Sequence, residues 1–158
     1  MADAKGRLTL IVLEGEALHR LSALQEADRD QAVADLREDN SFYLTTHPDL
    51  QSILHLSIQQ GRLVFDIRDA EDNPVQAVML AMGPFKMLIK DYQMLLDSYA
   101  QAVAEGRVAR IQAIDMGRRG LHNEGAELMV ERLAGKVEID FPTARRLFTL
   151  VCALHQKL

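Results

Sequence analysis

Two short runs of alternating residues constrain this chain more than any other feature. Leu54, Leu56 and Ile58 alternate with His55 and Ser57, Gln59-Gln60-Gly61-Arg62 intervenes, and Leu63, Phe65 and Ile67 alternate again. Successive side chains of a strand point to opposite faces, so each run is a strand with one face buried. Two such runs joined by a short Gly-containing loop read as a hairpin. Asp69 to Pro74 has turn chemistry, and the evenly apolar residues 75–82 give a third consecutive strand. Residues 8–13 supply a fourth. There Leu8, Leu10 and Val12 share one face, and Ile11 and Leu13 indicate partial burial of the other.

The remaining apolar residues follow the helical period. A short stripe at Ala32, Val33 and Leu36 marks an acidic surface helix over about 28–40. Gly83-Pro84 ends the third strand, and Pro84 suits the first turn of a helix carrying Phe85, Leu88, Tyr92, Leu95, Tyr99 and Val103 to near Gly106. Asp140 and Pro142 open a last helix whose second half, around residues 147–154, is apolar nearly all round. Such a helix is either buried or presents a face to another subunit. A homodimer is therefore expected, through this helix or the exposed face of the sheet. Consecutive strands followed by consecutive helices predict an α+β fold, with about four mainly antiparallel strands and helices packed on one face.

Composition sets the outer bounds. The chain has 158 residues, 48% hydrophobic and 26% charged, which is one domain's worth spanning 1–158, with no linker or repeat. The Met1–Lys5 start is polar and has no apolar leader core, and the longest apolar run, Ala77–Met82, is far short of the roughly 20 residues that span a bilayer. One cysteine, Cys152, excludes an intramolecular disulfide. A cytoplasmic protein without a membrane partner is expected. The net charge of −5 divides unevenly: residues 1–106 carry 9 basic and 17 acidic side chains, and residues 107–158 carry 9 and 6. The acidic excess speaks against nucleic-acid binding, where phosphate contacts supply most of the affinity.

One segment resists simple reading. Residues 107–134 have helical apolar spacing, yet Gly117, Gly120 and Gly125 interrupt them, each costing about 1 kcal/mol against Ala in a helix interior. Arg118 and Arg119 before Gly120, and Glu124 and Glu127 after Asn123, match the charge preferences of one helix ending and another starting. Two helices joined at Gly120–Asn123 are preferred. The alternative is one continuous helix with Asp115, Arg118, Arg119 and His122 along a polar stripe and Gly117 and Leu121 against a packed partner.

The run Ala113-Ile114-Asp115-Met116-Gly117-Arg118-Arg119-Gly120-Leu121-His122-Asn123-Glu124-Gly125 resembles the signature of an uncharacterised family of short bacterial proteins, chiefly alphaproteobacterial. Glu38–Phe42, Gly61–Arg68 and Thr143–Leu150 resemble the same family, so the likeness covers the chain from about residue 26 onward. It implies no activity, cofactor, partner or site residue.

The residues themselves suggest a limited chemistry. Five scattered histidines (19, 47, 55, 122 and 155) show no paired-ligand spacing, so no metal is expected. No phosphate-binding glycine loop or nucleophile elbow occurs, and no cofactor is expected. Arg118, Arg119, Arg145 and Arg146 can hold a carboxylate or phosphate by paired hydrogen bonds. With Asn123 and Glu124 they form the candidate ligand site, and His122 is the candidate acid/base. The preferred reading is a non-catalytic binding or interaction module whose arginines pair with the chain's own acids, with a small anionic ligand at the same arginines as the sharper reading. The alternative is a small enzyme acting on a phosphate- or carboxylate-bearing substrate. The Arg118–Glu124 segment and Arg145/Arg146 are expected to meet in space, with Glu124, Glu127 and Asp140 as the arginines' own-chain partners.

Overall fold

The computed structural model describes residues 6–15 and 21–155. Met1–Lys5 and His19 lie outside that set. The elements run β1 (Leu8–Glu14), α1 (Ala23–Glu38), β2 (Phe42–Leu44), β3 (Ser52–Gln59), β4 (Arg62–Arg68), β5 (Pro74–Ala81), α2 (Gly83–Ala104), α3 (Val108–Leu133), β6 (Val137–Ile139) and α4 (Phe141–Leu154). The fold is α+β, as the order of strands and helices predicts.

The hairpin is where the alternation places it. β3 and β4 pair antiparallel from Ile53↔Arg68 to Gln59↔Arg62, and the loop residues Gln60 and Gly61 both have positive φ. That primed turn matches the strands' own twist and is why a glycine stands there. β5 adds antiparallel to β4 and β1 adds parallel to β3, giving the order β1-β3-β4-β5. One face of this sheet buries Leu54, Leu56, Leu63, Phe65, Ile67 and Val78 against the helices. The other face is open and mixed in polarity, with His55 held between Glu14 (3.3 Å) and Asp72 (2.9 Å).

In β1 the burial expected from simple alternation is reversed. The register shifts between Leu8 and Leu10, so Leu8 is buried while Leu10 turns to the open face at 45% exposure. Ile11 and Leu13 pack on the core instead. A bulge moves every later side chain to the opposite face. Two three-residue strands, β2 and β6, pair antiparallel outside the main sheet. They are too short to show a period.

α4 is the helix around which the others assemble. Every residue from Leu147 to Leu154 is buried, covered by α1 on one side and α3 on another, with β1 also in contact. Its all-round apolarity is thus satisfied within the chain. α1 accordingly starts earlier than its apolar stripe indicates, at a capping box in which Ser22 and Gln25 each satisfy the other's backbone N–H.

Residues 108–133 form one unbroken helix, which corrects the two-helix expectation. Gly120 is an ordinary helical residue with open space around its Cα, and no cap lies at Asn123. Gly125 is there for contact: a Cβ would fall 2.4 Å from Phe148 Cγ. Its missing side chain lets α3 lie directly on the Phe148 ring of α4. The two glycines should therefore respond oppositely to alanine. Gly120→Ala should gain about 1 kcal/mol from helix propensity, whereas Gly125→Ala should lose about 1–3 kcal/mol by overpacking. Urea denaturation of the two variants checks this, and a destabilised Gly120→Ala would restore the two-helix arrangement.

Candidate functional site

Where α1, α2, α3 and α4 converge, a polar cluster interrupts the apolar core. Asp28 of α1 sits at its centre. Arg118 of α3 reaches both carboxylate oxygens of Asp28 with one nitrogen, at 3.1 Å each, and reaches Asp115 with another at 3.4 Å. The Tyr92 hydroxyl of α2 donates to the same Asp28 carboxylate. Burial and then the Asp28 charge push the Tyr92 pKa upward, so the phenol stays protonated. The Arg118 guanidinium lies 5.6 Å from the centre of the Tyr99 ring, a cation–π distance. Burial works against the Arg118 charge, but Asp28, Tyr92 and Asp115 together outweigh it and keep the guanidinium ionised.

His122 lies one helical turn beyond Arg118, on the same stripe. Its ring packs 5.2 Å from the Tyr92 ring and edge-on to Phe148 at 6.4 Å. Nε2 is 3.3 Å from the Thr149 hydroxyl, which donates to the Arg145 carbonyl one turn back on α4. With its proton given away, Thr149 accepts from His122, so Nε2 carries the hydrogen and Nδ1 keeps a lone pair. Burial, then Arg145 and Arg118, lower the His122 pKa to about 4. The imidazole is neutral at physiological pH.

The arginines of α4 find little of their own. Arg146 faces Asp35 of α1 at 3.7 Å. Arg145 has no ion pair among the described residues, and its buried Nε lacks a hydrogen-bond partner. Glu124, Glu127 and Asp140 pair with none of the site arginines, contrary to expectation. Asp140 spends its carboxylate on the backbone N–H of Thr143 as the α4 cap. The partners come from α1, which packs along α4 and turns Asp28 and Asp35 inward.

These groups line two adjoining clefts that share His122. One, of about 420 Å³, is walled by Asp28, Asp35, His122, Phe141, Arg145 and Thr149, with Arg146 beside them. The other, of about 250 Å³, is bounded by Asp115, Arg118, Arg119 and His122. Five of the seven expected site residues thus gather here. Asn123 and Glu124 are exposed and line neither cleft. Asp28, Tyr92 and Thr149 were missed by sequence reasoning. Asp28 had a signal, since it precedes buried Ala32 and Leu36 by four and eight residues and so lies on their stripe. A larger groove of about 570 Å³ between the start of α1 and α2 holds neither arginine nor histidine. Among the described residues no three His, Cys, Asp or Glu side chains converge as a metal site.

A family model described as an uncharacterised protein family (UPF0262) matches residues 5–157. The chain belongs to that family. The UPF0262 match reaches well before residue 26, where the motif resemblance begins. Similar members include UPF0262 proteins from Acidiphilium cryptum, 66% identical over 156 residues covering 99% of this chain and 96% of that one, and from Granulibacter bethesdensis, 61% identical over 163 residues covering 98% and 93%. A third, from Rhodospirillum rubrum, is 51% identical over 132 residues covering 84% and 81%. No solved structure matches.

His122 and His55 should separate cleanly by NMR. His122 should titrate near pH 4. His55 should titrate above its ordinary value, because Asp72 and Glu14 outweigh its desolvation. A depressed histidine pKa in the folded state means that the unfolded chain binds the proton first. Stability contributed by neutral His122 is therefore complete above pH 6.5 and falls as the pH drops from 6.5 toward 4, by on the order of 3 kcal/mol. His122→Gln should flatten that acid limb. An unchanged limb would mean that His122 is not buried as described.

Proposed function

We propose that this UPF0262 chain is a non-catalytic binding module of the bacterial cytoplasm, and that it binds a small anion in the cleft between α1 and α4. One observation carries the reading. Arg145 stands at the wall of the cleft without an ion pair among the described residues, with its Nε buried and unpartnered. A buried donor without an acceptor costs about 1–3 kcal/mol, and more when charged, so the site is primed for an acceptor from outside. Thr149 and the neutral His122 add polar groups beside it without adding charge.

The catalytic alternative draws less support from the same groups. A general acid or base works best with a pKa near the working pH, and His122 lies near 4. Cys152 is fully buried and its thiol pKa is pushed well up by desolvation, which leaves it a poor nucleophile. The homodimer reading now attaches to the sheet, since α4 is covered by its own chain. The open sheet face carries Leu10 at 45% and Met79 at 53% exposure. No described helix is long and apolar enough to cross a membrane.

Anion binding predicts a clear thermal-shift pattern. Sodium acetate or phosphate should raise the wild-type melting temperature more than sodium chloride of equal ionic strength, by mass action on the folded state. Arg145→Gln should fold as well as wild type and lose the anion-specific part of the shift, whereas Arg119→Gln should keep it. Equal shifts in wild type and Arg145→Gln, or no specific shift at all, would overturn the proposal.

A further inference from the structure

The charges and walls of the Arg145 cleft say more about its ligand than that it is an anion. Around the two adjoining clefts, the arginines at 118, 119, 145 and 146 face three carboxylates, Asp28, Asp35 and Asp115. Arg118 is engaged by Asp28 and Asp115, and Arg146 faces Asp35. Arg119 is exposed on the far cleft. Without Arg119, three arginines and three carboxylates balance in number, but Arg118 takes two of the carboxylates, so Arg145 alone is left without an ion pair in the larger cleft. A single negative charge on the ligand gives Arg145 its partner. A second would stand close to Asp28 and Asp35 with nothing to offset it, at a cost of up to several kcal/mol at effective dielectrics near 20.

The walls are equally uneven. Beside the arginine, the cleft is also lined by Phe141, Pro142 and Ala32. Phe141 is 41% exposed, one of the described large apolar side chains left in solvent. It is the first residue of α4, with the helix leading directly to Arg145 one turn later. A cationic end and an apolar lip in one cleft of about 420 Å³ suit a ligand with a charged head and an apolar body.

We propose that the cleft takes a monocarboxylate with an apolar or aromatic body, its carboxylate on the Arg145 guanidinium and its body against Phe141 and Pro142. This rests on the anion-binding reading above. The carboxylate accepts from the Arg145 guanidinium. A doubly charged phosphate enters only with a proton taken from solvent onto His122 Nδ1. The groups facing that imidazole are Asp28 from α1, Tyr92 from α2, Arg118 from α3, and Arg145 and Thr149 from α4. Among them only Asp28 favours the proton, so uptake at Nδ1 requires the second negative charge of the ligand.

Calorimetric titration of the full chain at pH 8 with benzoate, acetate and inorganic phosphate tests this, run in two buffers of different ionisation enthalpy. Benzoate should bind at least about tenfold more tightly than phosphate, with no proton exchanged, and more tightly than acetate. Phe141→Ala should erase the advantage of benzoate over acetate while acetate binding persists. Should Phe141→Ala fail to fold, the benzoate-to-acetate ratio on wild type still decides the point. Phosphate binding as tightly as benzoate without proton uptake, or acetate equal to benzoate, overturns this proposal and leaves the anion cleft standing. If none of the three binds, or Arg145→Gln binds all three as wild type does, the anion-binding reading fails with it.

Discussion

The contact on which the rest of this structure depends is the one between Asp28 and Arg118. It joins α1 to α3 through two hydrogen bonds of 3.1 Å, and the Tyr92 hydroxyl brings α2 to the same carboxylate. Three helices are thereby tied over a fourth. Both side chains are largely shielded, at 18% exposure for Arg118 and 22% for Asp28. For such a pair, removing one partner is more damaging than the pair is stabilising, since a stranded charge costs about 3–5 kcal/mol. The pairing also has a chemical consequence. Asp28, which lines the same cleft as Arg145, is already committed to α3 and α2, and Arg145 is left without an ion pair.

The same convergence explains why α4 can be apolar on every side. A helix wrapped by α1, α3 and β1 needs no polar stripe, and the Phe148 ring lies directly against Gly125. Glycine serves two opposite ends in helices, terminating them by left-handed geometry and letting them touch closely. Sequence spacing alone does not distinguish these uses, which is why the 107–134 segment reads plausibly as two helices when it is one. The hairpin had no such ambiguity, because Leu54, Leu56 and Ile58, then Leu63, Phe65 and Ile67, recur at every second position and Gly61 marks the turn. The bulge in β1 and the pairing of β2 with β6 left no trace in the pattern, since neither involves a change of residue type.

The site was legible in part for equally physical reasons. Arginine pairs and a neutral-range histidine announce themselves by type, and Arg118, His122, Arg145 and Arg146 do line the clefts. Asn123 and Glu124 do not, because each step along a continuous helix turns the side chain by about 100°. A stripe that includes positions 115, 118 and 122 leaves 123 and 124 facing solvent. Asp28 and Asp35, which answer Arg118 and Arg146, sit on α1, 90 and 111 residues away in sequence. They are paired by tertiary packing, and local charge order gives no sign of it. Ordinary acids at i, i+4 and i+8 with buried apolar residues, as at Asp28, deserve the same scrutiny as arginine pairs.

The central claim is that Arg145 is held without a partner so that a ligand's carboxylate can supply one. Its most direct measurement is an anomalous-scattering map from crystals grown with 4-iodobenzoate. The account places the carboxylate within hydrogen-bond reach of the Arg145 guanidinium and the iodine toward Phe141, with Asp28 still on Arg118. A map showing Arg145 turned onto Asp35 or another acid of its own chain, with iodine elsewhere or absent, would contradict it.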